Sequence, residues 1–160
     1  MLFFIFVVAK LYILALFMFL GAFLDVLDGF VARKQNKVTA FGGFLDATLD
    51  RVSDFFFIAA FAAGGIVSWE ITVTLLLVSF LISYAKSRGE LESKGTVSFK
   101  VGLVERPLRL AVVFAAFLLY MLFPDMRVGE NNIAQAMFLV LIMLSGLTVA
   151  QRIFHAWRKL

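Results

Sequence analysis

The sequence has no cysteine, a single histidine and only two prolines among its 160 residues. Without cysteine, disulfides, thiolate metal sites and thiol nucleophiles are all excluded. The one histidine, His155, lies in a basic C-terminal stretch and is assigned neither a ligand nor a base role. Residues 1–9 are apolar but have no basic leader, so a cleavable signal peptide is not expected.

What is abundant is apolar surface, since 62% of the residues are hydrophobic and 20 are phenylalanine. A soluble domain of this size is not so apolar, and spans of about 20 apolar residues predict membrane helices. We expect an all-α, polytopic transmembrane helix bundle in which residues 1–160 form one domain. Residues 1–9 are too short to cross and are interpreted as the remnant of a truncated first span. Five full spans are predicted, at residues 11–33, 40–64, 69–87, 107–124 and 132–154.

The positive charges predict the orientation of these spans. If the spans alternate, nearly all lysines and arginines fall on one face, and only Lys10 and Arg127 fall on the other. The positive-inside rule makes the basic face cytoplasmic, so the protein is predicted to be a multi-pass integral membrane protein. Because these basic residues lie beside membrane spans rather than on a soluble face, nucleic-acid binding is not expected.

Against this apolar background, four carboxylates lie close together at the cytoplasmic side. Asp25 and Asp28 are three residues apart, and Asp46 and Asp50 are four apart, so each pair shares one helical face. A carboxylate at the centre of a membrane helix costs about 2.5–3.5 kcal/mol, so such clusters usually have a function. The alternative is that these acids sit at helix ends and are neutralised by nearby basic residues, namely Arg33, Lys34, Lys37 and Arg51.

Two divalent cations would neutralise four converging carboxylates. Hard oxygen ligands suit Mg²⁺ or Mn²⁺. Gly29 and Gly42 leave room for a ligand beside the acids, and Arg33 offers a planar fork for phosphate. These residues together predict a two-metal phosphoryl-transfer site.

The whole motif, D-x2-D-G-x2-A-R-x8-G-x3-D-x3-D, resembles the signature of the CDP-alcohol phosphotransferase family without departure. The resemblance implies an enzyme that displaces CMP from a CDP-linked alcohol, usually a CDP-lipid, and a homodimer with six transmembrane helices per chain. It implies metal ligation by Asp25, Asp28 and Asp46, with Asp50 as general base and additional ligand. It also implies a CDP pocket built from Asp25, Gly29, Ala32, Arg33 and Gly42.

A second set of residues is basic and lies at the inner ends of three later spans. It comprises Lys86, Arg106, Arg109 and Arg152. Such a cluster would bind an anionic acceptor, most simply a phosphate monoester, although the positive-inside rule alone also places basic residues there.

Residues 44–54, 83–90, 105–109 and 151–152 resemble the branch of the family that makes phosphatidylinositol phosphate or its archaeal-lipid equivalent. That resemblance implies an inositol-phosphate-like acceptor whose phosphate is bound by the basic set. Three alternatives remain open: glycerol phosphate as acceptor, CDP-inositol as donor, and, in another class, a cation transporter that uses the four acids. A transporter would leave Gly29, Arg33 and Gly42 unexplained and would need internal symmetry, which the sequence does not show.

Overall fold

The computed structural model describes residues 1–18, 39–99 and 101–160, which are mostly helical. Its five bounded helices are α1 (Leu2–Val8), α2 (Ala40–Ala63), α3 (Trp69–Glu92), α4 (Arg106–Leu122) and α5 (Ile133–Lys159). Residues 12–18 are also helical, and a short hairpin pairs β1 (Arg127–Val128) with β2 (Asn131–Asn132). The predicted helical fold is confirmed, apart from this hairpin.

The chain forms two compact units, Met1–Ile66 and Val67–Leu160. In the first unit, α1 packs against α2 through edge-on aromatic contacts. The ring centroids of Phe3 and Phe57 are 5.2 Å apart, and those of Phe4 and Phe56 are 6.0 Å apart. Each such pair stabilises packing by about 0.5–1.5 kcal/mol beyond the burial of its surface. The expectation of a single domain stays a prediction.

Both ends of helix α2 are defined by capping residues. Thr39 caps the first turn, its Oγ1 accepting a hydrogen bond from the Gly42 amide at 3.0 Å. The helix ends at Ala63 and Gly64 follows as its C-cap, close to the predicted end of this span at residue 64. A hydroxyl cap of this kind contributes about 1 kcal/mol.

In the second unit, α5 is the central element and packs against both α3 and α4. Its N-terminus is closed by a capping box in which Asn132 and Gln135 exchange hydrogen bonds. The apolar core includes fully buried side chains from all three helices, among them Leu75, Val113, Phe117 and Phe138. This packing makes α5 the frame on which the rest of the unit is positioned.

Two helices extend beyond their predicted bounds. The sequence predicted a loop from residue 88, but α3 continues to Glu92, because Arg88 and Glu92 form an ion pair one turn apart on its surface. The predicted C-terminal span ended at 154, but α5 runs to Lys159, with Arg158 and Lys159 favourably placed in its last turn. Helix α4 begins at Arg106, one residue before the predicted start of this span, and Pro107 lies in its first turn.

Among the described residues, two helices, α3 and α5, are long and apolar enough to cross a membrane. The predicted count of five spans is not confirmed, because α2 carries several charges and α4 has only 17 residues. Large apolar side chains nevertheless cover exposed faces of these helices. On α3 they form a stripe at helical spacing, comprising Val73, Leu77, Phe80 and Tyr84. Such a surface suits lipid better than water.

Candidate active site and its two charged clusters

The first cluster lies on one face of α2. Asp46 and Asp50 are one helical turn apart, Asp46 exposed and Asp50 half-buried. One further turn along, Asp54 is only 4% exposed and pairs with Arg51, whose Nη1 lies 3.5 Å from its Oδ2. This ion pair indicates a structural role for Asp54 rather than a catalytic one. Along this face the carboxylates change from exposed at Asp46, through half-buried at Asp50, to buried and paired at Asp54.

The donor set of this face fits the predicted cations in type. Carboxylates one turn apart on a rigid helix can both turn toward a hard divalent cation. Within residues 1–18, 39–99 and 101–160, no group of three or more acids and histidines meets the spacing of a metal site. The predicted ligands Asp25 and Asp28 lie outside that range, so the described face provides two carboxylates of the predicted four.

Of the remaining motif residues, some lie within the part of the chain that the structure describes and others lie outside it. Gly29, Ala32 and Arg33 lie outside the described residues, as does the predicted meeting of the helix over 11–33 with α2. Gly42 is described, and a Cβ at this position would lie 3.0 Å from Thr39 Oγ1. Its lack of a side chain therefore also keeps the cap of α2 intact, in addition to any part in a nucleotide pocket.

The second cluster lies in the second unit, at the end of α5. Arg152 is 3% exposed, and its guanidinium donates from Nε to the Val101 carbonyl oxygen at 2.8 Å and from Nη1 to that of Ile82. Two of the five N–H groups of Arg152 therefore hold backbone of two other segments. Arg152 therefore stabilises the packing of these segments and is also a candidate phosphate ligand.

Arg109 is the other buried member of the basic set. It is 1% exposed. Its positive charge repels that of Arg152, whereas the charges of Glu105 and Glu90 attract it. The two acidic residues offset the cost of burying two guanidinium groups close together. Arg109 and Arg152 are thus both buried in the second unit, and their joint part in an acceptor site stays a prediction.

The other two predicted basic residues belong to the same unit. Lys86 follows Ile82 by one turn of α3, and Arg106 is the first residue of α4; both are half-buried. The set therefore comes from three helices of one unit, and its location at the inner ends of three spans stays a prediction.

A segment whose importance was not predicted from the sequence leads into α4 and contacts α5. We call residues 101–105, which lead into α4, the connector. Before it, Phe99 packs on α3 so closely that a Cβ on Gly89 would lie 2.4 Å from its ring, and the Phe99 and His155 rings are perpendicular with centroids 5.2 Å apart. The connector itself contacts α5 at Arg152 and at Thr148. Only a threonine inside an apolar helix hinted at this contact in the sequence.

A groove of about 350 Å³ runs between α3 and α5 beside this cluster. Its walls are mostly apolar, with Arg88, Glu92 and Arg152 at the rim. The basic cluster therefore borders an apolar surface within the second unit.

An apolar helical fold with paired carboxylates on α2 and buried arginines suits an enzyme that acts on phosphate esters at a membrane. The sequence pattern of the CDP-alcohol phosphatidyltransferase family matches residues 1–155. The chain belongs to this family.

Three comparisons describe its relatives. The chain is 39% identical to archaetidylinositol phosphate synthase of Pyrococcus horikoshii, over 88% of this chain and 67% of that protein. It is 38% identical to phosphatidylinositol phosphate synthase of Mycobacteroides abscessus, over 87% of this chain and 62% of that protein. The crystal structure of Mycobacterium tuberculosis phosphatidylinositol phosphate synthase with CDP-DAG bound superposes with a TM-score of 0.70 at 27% identity, covering 98% of this chain and 83% of that one. The tuberculosis protein has also been solved in complex with manganese and citrate.

Proposed function

We propose that this protein transfers a phosphatidyl or archaetidyl group from a CDP-lipid to an inositol-phosphate-like acceptor and releases CMP. The observation that carries the proposal is the similarity, over most of the chain, to synthases whose names specify inositol phosphate products. Two features of the structure support it: the paired carboxylates of α2 suit the reacting end of the donor, and the buried arginines of the second unit suit an acceptor phosphate.

The proposed step is a single displacement at phosphorus. Asp50 takes the proton from a hydroxyl of the acceptor, and that oxygen forms a bond to the phosphorus bearing the lipid. The bond from this phosphorus to the departing CMP oxygen breaks, so the products are a lipid phosphodiester and CMP. A half-buried carboxylate on a rigid helix is well suited to the base role, because its position is fixed before the acceptor arrives.

The acidic motif is proposed to bind two ions of Mg²⁺ or Mn²⁺ through Asp25, Asp28, Asp46 and Asp50. When bound, these cations would neutralise the diphosphate of the donor and stabilise charge on the leaving CMP. The manganese complex of the related tuberculosis protein supports a divalent cation. Asp25, Gly29, Ala32, Arg33 and Gly42 are proposed to surround the CDP group.

Lys86, Arg106, Arg109 and Arg152 are proposed to bind the acceptor phosphate. Arginine recognises phosphate through a planar fork of N–H donors, and burial strengthens each such bond. Arg152 is already oriented by its two bonds to backbone carbonyls, so it would lose little side-chain freedom on binding.

The remaining proposals concern the protein's setting. Five full spans in a single domain, a homodimer and an active site facing the cytoplasm are proposed from the family resemblance and the charge distribution. The charge distribution supports the orientation, because nearly all lysines and arginines fall on one face when the spans alternate.

A panel of substrates tests the proposal. Purified protein would be given an ester-linked or an ether-linked CDP-lipid with inositol phosphate or glycerol phosphate, in the presence of Mg²⁺, and CMP release would be measured. Asp50→Asn serves as the blank. We expect release that depends on inositol phosphate and a product carrying both lipid and inositol phosphate.

The other outcomes separate the alternatives. Release with glycerol phosphate alone would reassign the acceptor, and turnover of CDP-inositol with a lipid alcohol would reassign the donor. No CMP release, together with cation flux in proteoliposomes, would replace the enzyme with a transporter.

A further inference from the structure

The connector is held to α5 by Thr148, a residue with no place in the acidic motif or the basic set. Thr148 is fully buried, and its Oγ1 makes two hydrogen bonds at once. It donates to the Leu144 carbonyl oxygen at 3.0 Å and accepts from the Val104 amide at 3.0 Å. The bond to Leu144 fixes the hydroxyl hydrogen, which leaves a lone pair directed at the connector.

The amide that Thr148 accepts from has a particular need for this partner. Val104 is fully buried, and a buried backbone N–H left without an acceptor is costly. The acceptor comes from a residue 44 positions away along the chain. This one bond therefore determines where the end of the connector lies.

The methyl group of Thr148 is used as well. Gly102 has φ +129°, and a Cβ built on it would lie 2.3 Å from Thr148 Cγ2. The connector backbone therefore lies directly on the threonine methyl. Serine would keep the hydroxyl and lose this contact, whereas valine would keep the methyl and lose both hydrogen bonds.

What the connector leads into gives this contact its significance. Val104 is followed by Glu105, the N-cap of α4, and then by Arg106; the Arg109 amide in turn bonds to the Glu105 carbonyl oxygen at 3.0 Å. One turn beyond Thr148 on α5, Arg152 holds the other end of the connector at Val101. Thr148 and Arg152 thus fix both ends of a short segment that starts the helix carrying two of the basic residues.

We propose that Thr148 is a positioning residue for the acceptor-phosphate site, setting Arg106 and Arg109 in place relative to Arg152 through its bond to the Val104 amide. The inference rests on the proposed function. Thr148 touches no substrate in this proposal, and it acts only through the connector and the start of α4.

The test compares Thr148→Val with Thr148→Ser in the full-length protein. For Thr148→Val we expect the KM for inositol phosphate to rise about tenfold, the effect of leaving the buried Val104 amide without its acceptor. The KM for the CDP-lipid should stay within about twofold, since Thr148 and the connector have no part in the proposed donor pocket. Thr148→Ser should retain an acceptor KM close to wild type, because it keeps the hydroxyl.

Hydrogen exchange supplies a readout that does not depend on activity. The Val104 amide should exchange faster in Thr148→Val than in wild type or Thr148→Ser. If Thr148→Val does not fold, Thr148→Ala tests the same bond, because it removes the acceptor of the Val104 amide and places no larger side chain against Gly102. It too should raise the acceptor KM and spare the donor KM.

The inference is overturned if these variants raise both KM values equally, if serine behaves like valine, or if an active Thr148→Val enzyme keeps its acceptor KM. Wild-type protein that releases no CMP with any acceptor would overturn the proposed function, and this inference with it. An unchanged acceptor KM in an active enzyme would overturn the inference alone.

Discussion

The two charged clusters are built in opposite ways. On α2, Asp46 and Asp50 lie on one face of a single helix, Asp46 exposed and Asp50 half-buried. In the second unit, Arg109 and Arg152 are buried, and Arg152 bonds to the backbone of two other segments. The two carboxylates are at least partly exposed, whereas the two arginines are packed in the interior of their unit.

Because of this difference, some substitutions should lower catalytic activity without lowering the stability of the fold, and others should lower both. Replacing an accessible carboxylate on a capped helix removes a reactive group and leaves the packing intact. Replacing a buried, bonded arginine removes a ligand and a structural tie together. Substitutions in the two units should therefore differ in whether they lower activity, stability or both.

Replacing Asp50 by asparagine should have the largest effect on turnover. We expect CMP release to fall at least about 100-fold, because the amide cannot take the acceptor's proton, while the thermal midpoint stays near wild type. Asp54→Asn is the matched control, one turn along the same helix: it should keep most activity and lower the midpoint, since Arg51 loses its charged partner. An equal loss of activity in both variants would remove Asp50 as the base.

Replacing Arg109 by alanine should weaken acceptor binding. We expect kcat/KM for inositol phosphate to fall about 10- to 100-fold, as for the loss of a charge-assisted hydrogen bond, with the CDP-lipid KM much less affected. A lowered thermal midpoint should accompany this loss, because a buried side chain is removed. Arg127→Ala, an exposed arginine on the hairpin, should change neither quantity. Equal losses for donor and acceptor would contradict the assignment of Arg109.

Adding one methyl at Gly89 should destabilise the second unit without removing any charge. A Cβ there would lie 2.4 Å from the Phe99 ring, so Gly89→Ala should cost about 1–3 kcal/mol of unfolding free energy. At Gly146, also within a helix, a Cβ meets nothing within 4 Å, so Gly146→Ala should be neutral or stabilising. Thermal unfolding in detergent measures both. Equal midpoints would mean that the contact of Phe99 with α3 is readily rearranged.

The smallest effect is expected at the surface of the same unit. Arg88 and Glu92 pair across one turn of α3 with their side chains 56% and 49% exposed. Glu92→Gln should therefore change the unfolding free energy by less than about 0.5 kcal/mol. A larger loss would show that burial does not separate the structural from the superficial charges here.

Much of the helical frame follows from local sequence signals. The Gly64–Gly65 pair marks the end of α2, and Pro107 marks the first turn of α4. The face shared by Asp46 and Asp50 follows from their spacing alone. The bounds of α3 and α5 were predicted too short, because polar residues at a helix end can extend it through ion pairs and the helix dipole.

The sequence by itself therefore determined the helical class, the carboxylate pair on α2 and the likeness to a family, because these depend on residues near one another along the chain. Only the tertiary structure decided that Arg152 and Thr148 hold the connector. Their bonds join residues 44 to 70 positions apart, and no local pattern records which distant carbonyl or amide a buried side chain will meet.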